Sequence, residues 1–399
     1  MGHKGINRRE FIGRTSLGLF STGLGLPLLR ISPIKQEQPF KIIYRTLGRT
    51  KLRLPIVSFG VMRTDSPDLL RKALDMGIKH LDTAYSYQRG KNEMVIGGVL
   101  QETGSRDKVY IGTKINLPRD REKGVYLPEA NEENFNEQLN ISLQRLRTDY
   151  VDILYLSLME SVAMVNYEPT MKALEKAKES GKARFIGVSI HGYEPDIIRA
   201  TADAGIYDVA LTRYNFLQQH REEVKKAIQY AAGKGVGVIA MKTQAGGYMD
   251  RERKVPVNHE AALKWVLSDE NVCTTIPGMT TFDQMDLNFK VMTNLALSEA
   301  EKRELQLASM LRGTLYCQDC RSCITTCPHK VEIPTLMRAY MYDVGYGDHE
   351  LARTTAAELP QHCGLKVCQN CSSCVASCQY GININGRVKS LISQGFYRC

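Results

Sequence analysis

Eight short apolar segments alternate with amphipathic segments along most of the chain, and this alternation limits the possible folds more than any other feature of the sequence. The amphipathic segments, such as EENFNEQLNISLQRLR and REEVKKAIQYAAGKG, have one apolar face at helical spacing, and several of them end in glycine. Eight strand and helix pairs in succession predict an α/β fold, a (β/α)8 TIM barrel. The predicted strands are IVSFGV (56–61), IKHLDTA (78–84), VYIGTKI (109–115), YVDILYLS (150–157), ARFIGVSI (183–190), DVALTRYN (208–215), GVGVIAMK (235–242) and TTIPGM (274–279).

The segment before the first strand, IIYRTLGRTKLRLP (42–55), has a Gly-Arg turn in its middle. We expect it to form a short hairpin that closes the N-terminal end of the barrel. The chain has 399 residues, of which 43% are apolar and 24% charged, so it can form one large domain and a smaller one. We therefore expect the barrel to occupy residues 43–300 and a second domain to occupy residues 310–399.

Eight of the eleven cysteines lie in two runs with the same CxxCxxCxxxC spacing. In two-cluster ferredoxins, three thiolates of such a run bind one cluster and the fourth reaches the other cluster. Zinc and disulfides are the alternatives, but zinc sites usually combine two CxxC units, and a chain of this length does not need disulfides to form a core. The sequence predicts two [4Fe–4S] clusters, one bound by Cys317, Cys320, Cys323 and Cys378 and the other by Cys368, Cys371, Cys374 and Cys327.

The stretch between the two cysteine runs is far longer than the spacer of a compact βαββαβ ferredoxin. Within it, VEIPTLMRAYMYDVGYGDHELARTTAAEL has a helical pattern. We expect a small, mainly α-helical ferredoxin-like domain. Of the other cysteines, Cys273 is expected to be a small buried apolar residue, whereas Cys363 and Cys399 have no assigned chemistry.

Residues 1–35 have the features of an export signal. Arg8 and Arg9 precede Glu10-Phe11-Ile12, which is similar to the twin-arginine motif, and an uncharged stretch of fifteen residues follows at 15–29. That stretch is short for a bilayer span, which needs about 20 residues, but it suits a signal sequence. Twin-arginine export carries folded proteins, which suits a protein with clusters, so we expect a periplasmic or exported location. An ordinary buried N-terminal helix is the alternative to a signal. Cleavage of the signal stays open, because no A-x-A site is present. The protein would contact a membrane only through a retained signal.

The formal net charge of +10 at pH 7 does not indicate a nucleic-acid-binding protein. Residues 1–35 contribute +5 of this charge, and two clusters with their thiolates would cancel most of the remainder. Because no strong basic patch is left, we expect no nucleic-acid partner.

Chemistry in a (β/α)8 barrel belongs at the C-terminal ends of the strands. The second predicted strand ends in Asp82, Tyr87 follows five residues later, and the third strand ends in Lys114. These residues belong to a set of motifs that resembles the aldo-keto reductase superfamily in the same order: DTAxxY, GTK, GKARFIGVS, GVGVIAM and IPGMTT. The resemblance covers residues 43–295, and the added cysteine runs resemble the iron–sulfur branch of that superfamily.

The resemblance implies that Asp82, Tyr87 and Lys114 form a catalytic set, and elementary chemistry supports this role. A tyrosine with an ordinary pKa near 10 is a poor general acid at neutral pH, but a neighbouring ammonium group favours the phenolate. We therefore expect Lys114 to lower the pKa of Tyr87 and Asp82 to keep Lys114 charged and oriented. Tyr87 would then protonate a carbonyl oxygen while a hydride reaches the carbonyl carbon.

Several positions depart from the family pattern. The histidine that the family usually has after the fourth strand is replaced by Ser157, which can donate a hydrogen bond but does not titrate near neutral pH. The resemblance implies that Ser189, Met241 and Asn288 bind the nicotinamide cofactor NAD(P)H, although Met241 replaces an aromatic residue. Further family positions are occupied by Ile190, Leu211, Gly278 and Gln284. The last two replace cations that bind a 2′-phosphate, so the sequence does not indicate NADP selectivity, and the choice between NAD and NADP stays open.

Two functions follow from these observations. The first is an aldo-keto reductase-like oxidoreductase that acts on a small-molecule carbonyl or alcohol, for example a sugar, and exchanges electrons with a redox partner protein through the clusters. The second is a barrel that no longer uses nicotinamide and serves as a scaffold or binding module for an electron-transfer domain. The retained Tyr87, Lys114 and Asp82 favour the first, and the changes at Ser157, Leu211 and Met241 favour the second.

Overall fold

The structure, a computed structural model, describes residues 41–246, 256–312 and 317–396. The predicted signal segment, residues 1–35, and Cys399 lie outside the described residues. The strands are β1 (Tyr44–Thr46), β2 (Arg53–Pro55), β3 (Phe59–Gly60), β4 (His80–Asp82), β5 (Tyr110–Ile115), β6 (Arg119–Asp120), β7 (Val125–Tyr126), β8 (Val151–Met159), β9 (Ala183–Ile190), β10 (Val209–Arg213), β11 (Gly237–Met241) and β12 (Val272–Thr275).

Among the described residues, eight parallel strands form one sheet in the order β12, β11, β10, β9, β8, β5, β4, β3. Backbone hydrogen bonds close this sheet between its first and last strands: Ser58 N–H donates to Thr275 O at 2.8 Å, and Gly60 N–H donates to Pro277 O at 3.1 Å. A Cβ atom at Gly60 would lie 2.5 Å from Ile276 O, so this close approach requires glycine. The predicted (β/α)8 barrel is confirmed.

Helices follow the strands around the outside of the barrel, and an apolar layer lies between the strands and the helices. The α-helices up to the end of the barrel region are Pro67–Asp75, Lys91–Thr103, Glu132–Leu146, Val162–Val165, Glu168–Glu179, Glu194–Asp203, Arg221–Gly233, His259–Leu267, Phe282–Lys290 and Glu299–Arg312. Short 3-10 helices span Gly48–Thr50, Tyr87–Gly90, Arg106–Lys108 and Val291–Thr293.

The first and last barrel strands are shorter than the sequence predicts. The prediction for the first strand is 56–61, but β3 contains only Phe59–Gly60, and β12 ends at Thr275 although the prediction extends to 279. Pro277 lacks a backbone N–H, so a continuous ladder cannot run through this part of the last strand.

The predicted N-terminal hairpin is also confirmed. Strands β1 and β2 pair in antiparallel register, and Leu47, Leu52 and Leu54 pack inside the barrel against Ile153 and Tyr155. These leucines close the N-terminal end of the barrel, so the open end is the one at which the parallel strands terminate.

The residues after the barrel are mainly helical, as predicted. The α-helices here are Ser322–Thr326, Ile333–Tyr340, His349–Ala357, Leu365–Gln369 and Ile384–Ser393, and a π-helix spans Met341–Gly345. This region has its own apolar core, which includes Leu336 and Leu391. It contacts the open end of the barrel: the Arg213 guanidinium donates to Gln318 O at 2.8 Å.

From Lys41 onward the described residues belong to one compact unit. The domain boundary at residues 300–310 therefore stays a prediction. In the described part of the chain, no helix combines the length and the apolar character needed to cross a membrane.

Candidate active site

A cavity of about 310 Å³ lies at the end of the barrel where the parallel strands terminate. Asp82 at the end of β4 and Met241 at the end of β11 line it, and Tyr87 lies on the same wall. The helical region after the barrel contributes Met341 and Tyr342 from the π-helix. Because these side chains line the cavity, this second region is part of the candidate site; π-helical turns are rare and are frequent at functional sites.

Lys114, Asp82 and Tyr87 lie together at this cavity. The Lys114 ammonium donates to Asp82 Oδ1 and, at 2.7 Å, to Thr83 O. Lys114 and Asp82 are each 2% exposed, and the Lys114 Nζ lies 5.1 Å from the centroid of the Tyr87 ring. A buried charge must be paired, and the carboxylate of Asp82 provides this pairing one strand away from Lys114.

The prediction that Lys114 lowers the pKa of Tyr87 below its ordinary value is wrong. Burial raises the pKa of this phenol more than the Lys114 ammonium lowers it, and Asp82 raises it further. Burial also opposes the charge on Lys114, but Asp82 and Tyr87 together raise the pKa of its ammonium. Tyr87 is therefore a neutral phenol beside a fixed positive charge, an arrangement that can donate a hydrogen bond or a proton to an oxygen atom in the cavity.

Sequence reasoning missed a second polar group in the cavity, formed by His191 and Lys242. The Lys242 Nζ lies 3.2 Å from His191 Nδ1, and the Ser189 Oγ lies 3.3 Å from His191 Nε2. Burial lowers the pKa of Lys242 to about 7, with Arg338 and Arg213 adding to the effect. Lys242 also has a φ of 55°, an unfavourable left-handed conformation for lysine. The available signal was position, because each residue directly follows a strand end.

The predicted cofactor residues divide into two groups. Met241 and Asn288 are buried and line the cavity, and Asn288 Oδ1 accepts a hydrogen bond from Gln244 Nε2 at 2.7 Å. Ser189 is absent from the cavity lining of the described residues, and its hydroxyl contacts His191 instead.

Gly278 and Gln284, which stand where the family has cationic residues that bind a 2′-phosphate, line the same cavity. Neither side chain can supply a positive charge there.

Ser157 lies near the end of β8, where the register between β8 and β9 shifts. The next residue, Leu158, has a φ of 60°. Ser157 is half-buried and does not belong to the described lining of the cavity. Its predicted catalytic role therefore stays a prediction that the geometry does not favour.

The first set of predicted cluster cysteines converges. A second cavity is lined by Cys317, Cys320, Cys323 and Cys378, which is the set predicted for the first cluster. Burial raises the pKa of Cys323 to about 12, and Cys320 and Cys378 add to the effect.

In the second set, Cys327 of the first run likewise lies near cysteines of the second run. Burial raises the pKa of Cys368 to about 12, and its neighbours are Cys327, Cys374 and Cys371. The described cysteines form no disulfide. No three His, Cys, Asp or Glu side chains within the described ranges are arranged to bind a single metal ion. Cys273 is 4% exposed in the barrel interior, which confirms the prediction of a buried apolar role.

Residues 57–260 match the model of the Aldo/keto reductase family. The chain belongs to the aldo/keto reductase family. The predicted superfamily is thereby confirmed, and the protein is an oxidoreductase. The family match ends before the two cysteine runs, so it says nothing about the second region.

Relatives and solved structures agree with this assignment. The aldo-keto reductase YhdN of Bacillus subtilis is 33% identical over 165 residues, which cover 41% of this chain and about half (48%) of the relative. The L-galactose dehydrogenase of Arabidopsis thaliana is 28% identical over 64% of this chain and 89% of the relative. The L-glyceraldehyde 3-phosphate reductase of Escherichia coli O157:H7 is 27% identical over 66% and 91%. The holo form of the aldo-keto reductase AKR11C1 from Bacillus halodurans superposes with a TM-score of 0.56 at 25% identity, over 67% of this chain and 96% of that one.

Proposed function

We propose that this aldo/keto reductase family member interconverts a small carbonyl compound and its alcohol, with Tyr87 as the proton donor. The observation that carries the proposal is the buried Lys114–Asp82 pair beside a neutral Tyr87 in the cavity. In the reducing direction the carbonyl carbon accepts a hydride and the carbonyl oxygen accepts the Tyr87 proton. Lys114 then stabilises the phenolate that Tyr87 becomes.

A bound nicotinamide would supply the hydride for this reaction. Met241 and Asn288 would hold it, since both line the cavity, whereas the Ser189 hydroxyl would first have to leave His191. Because Gly278 and Gln284 offer no cation to a 2′-phosphate, we expect the dissociation constants of NADH and NADPH to agree within a few-fold.

A fluorescence titration of the purified holoprotein with NADH and NADPH tests this proposal. Saturable binding of both cofactors supports the reductase. A preference for NADPH of a hundredfold or more would contradict the interpretation of Gly278 and Gln284, because it would need a cationic phosphate site elsewhere.

The scaffold function is the second candidate. It is favoured by Met241 in place of an aromatic residue, by the engaged Ser189 hydroxyl and by the position of Ser157 outside the cavity lining. If the holoprotein contains its full iron content but binds neither NADH nor NADPH, the scaffold function replaces the reductase.

We further propose that the region after the barrel binds two [4Fe–4S] clusters and exchanges electrons with a redox partner protein. The convergence of Cys378 with the first cysteine run, and of Cys327 with the second, supports this ligation. When bound, the clusters would supply one-electron transfer.

Iron analysis of anaerobically reconstituted protein should give about eight irons per chain, and about four would contradict the proposal. Cys378→Ser should alter the electron paramagnetic resonance signal of only one cluster. Cys363→Ser is the matched control, because Cys363 is half-buried, contacts Pro360 O and belongs to neither run.

The location and the substrate class are also proposals. Arg8 and Arg9 support export through the twin-arginine route, and replacement of both by lysine should retain the protein in the cytoplasmic fraction; unchanged export would refute this. Relatives named for L-galactose, L-glyceraldehyde 3-phosphate and methylglyoxal make small sugars and related aldehydes the first substrates to assay.

A further inference from the structure

Three buried side chains at the Lys114–Asp82 pair, one of them Asp82 itself, have polar atoms without a hydrogen-bond partner. These atoms are both ring nitrogens of His80, the hydroxyl oxygen of Tyr155 and Oδ2 of Asp82. His80 and Tyr155 are 0% exposed, and Asp82 is 2% exposed. Within the described residues none of these four atoms has a protein partner, although the large majority of buried side-chain polar atoms in proteins have one.

The three side chains surround one glycine in the barrel interior. His80 and Asp82 are two residues apart on β4, so their side chains point to the same face of the sheet. Asp82 pairs with Gly112 across the β4–β5 ladder, and Tyr155 pairs with Lys114 across the β5–β8 ladder. The register of three neighbouring strands therefore places all three side chains around Gly112.

The position that a side chain at Gly112 would occupy lies within hydrogen-bonding range of two of the unpartnered atoms. A Cβ atom built there would be 3.1 Å from His80 Nε2 and 3.5 Å from Asp82 Oδ2. The ring of Tyr155 closes another side of this position, with its Cε2 atom at 3.1 Å. A methyl group at this position would press on the imidazole and on the Tyr155 ring, and glycine avoids that contact beside the free oxygen of the Asp82 carboxylate.

The chemistry of these unpartnered atoms indicates what can lie between them. A buried water typically makes two to four hydrogen bonds, and a buried polar group left without any hydrogen bond destabilises the folded protein. A cation does not fit, because the same carboxylate already binds the Lys114 ammonium and one imidazole completes too small a ligand set. Burial and the nearby Lys114 keep His80 neutral by lowering its pKa to about 3, so one ring nitrogen can donate and the other can accept.

We propose that a buried water molecule beside Gly112 links His80 Nε2 to Asp82 Oδ2, and that His80 is a positioning residue for the catalytic carboxylate. The water accepts a hydrogen bond from His80 and donates one to Asp82. Oδ1 of Asp82 then remains aligned with Lys114, and Lys114 remains beside Tyr87. The effect on activity rests on the proposed reductase function, but the water site does not.

Substitutions at His80 test the positioning role. In His80→Gln the side-chain amide can replace the Nε2 contact, whereas His80→Leu has similar bulk and no polar atom. We expect His80→Leu to lower kcat about 10–100-fold, as a small misplacement of catalytic groups does, with KM changed less than threefold. His80→Gln should recover most of the lost kcat. Equal kcat for wild type and His80→Leu would overturn the positioning role, and so would a purely KM effect.

Gly112→Ala tests the position itself, because its methyl group would crowd His80 Nε2 and Asp82 Oδ2 and exclude a water molecule between them. The matched control is Gly98→Ala, since a Cβ atom at Gly98 has nothing within 4 Å. Gly112→Ala should lower kcat as His80→Leu does, and Gly98→Ala should not.

A crystal structure of the wild-type holoprotein at about 1.8 Å resolution decides the water site without any activity. Density for one water within hydrogen-bonding distance of His80 Nε2 and Asp82 Oδ2 is expected, and its absence would overturn the proposal even if Gly112→Ala fails to fold. If the density is present but no carbonyl compound is turned over, the water site stands and the reductase function fails.

Discussion

A double-mutant cycle at Tyr87 and Lys114 tests the proposed acid most directly. General acids typically contribute about 10²–10⁴-fold to a rate, so Tyr87→Phe should lower kcat for carbonyl reduction by that factor. Cofactor binding should change little, because only a hydroxyl group is removed. Lys114→Met removes the charge that acts on the phenol.

The expected size of the Lys114 effect follows from its distance. The Nζ lies 5.1 Å from the Tyr87 ring centroid, and two unit charges at about this distance interact by roughly 3 kcal/mol at an effective dielectric constant near 20. This energy corresponds to about two pKa units of the phenol. If about half of the phenolate charge has developed in the transition state, Lys114→Met should slow the reaction about 10-fold or somewhat more. The unpaired Asp82 adds to this loss through the same phenol, because its charge raises the pKa of Tyr87.

The double variant is the decisive member of the cycle. Since Lys114 acts through the proton of Tyr87, the double variant should be no more than about twofold slower than Tyr87→Phe alone. The assay is the steady-state oxidation of NADH or NADPH with glyceraldehyde and methylglyoxal. Tyr85→Phe is the control, because Tyr85 lies two residues away, packs against Arg145 and does not line the described cavity. Fully multiplicative losses, or wild-type activity of Tyr87→Phe, would refute the assigned roles.

Four further predictions concern the cavity and its surroundings. Because burial raises the pKa of Tyr87, ionisation of this phenol should not lower the reduction rate between pH 6 and 9. A rate that falls in this range both in wild type and in the Tyr85→Phe control, but not in the residual activity of Tyr87→Phe, would contradict the assignment. Ser157→His should change kcat on simple aldehydes by less than about threefold, since Ser157 does not line the described cavity; a large gain would show that the missing histidine limits turnover. The pKa of Lys242 falls to about 7 in the folded protein, so the unfolded chain binds more protons between about pH 7 and 10.5. The free energy of unfolding, measured by guanidinium denaturation, should therefore rise with pH across this window. Lys242→Met should remove this rise. Arg213→Met should lower the free energy of unfolding by about 3–5 kcal/mol. The reason is that the fully buried Glu194 loses its guanidinium partner, whose Nε lies 2.7 Å from Glu194 Oε1. Adding Glu194→Leu should restore part of the loss.

The sequence by itself determined the barrel and the identity of its main candidate residues. Strand and helix periods are local properties, so the eight strands could be placed within a few residues of their positions. Asp82 and Lys114 could be located because each lies at or next to the C-terminal end of a strand, and these strand ends meet at one face of the fold. The spacing of the cysteines predicted which four belong together, and the second cavity collects one of those sets.

Only the tertiary structure decided how these groups behave. The pKa of Tyr87 depends on the balance of burial against one ammonium group, and burial cannot be read from a motif. The contact between His191 and Lys242 joins residues that are 51 positions apart in sequence. The unpartnered atoms of His80 and Asp82 lie beside Gly112 because of the register between neighbouring strands. The π-helix at Met341–Gly345 reaches the cavity because the second region packs on the open end of the barrel. Each of these features arises from long-range packing, which brings together residues that no local pattern connects.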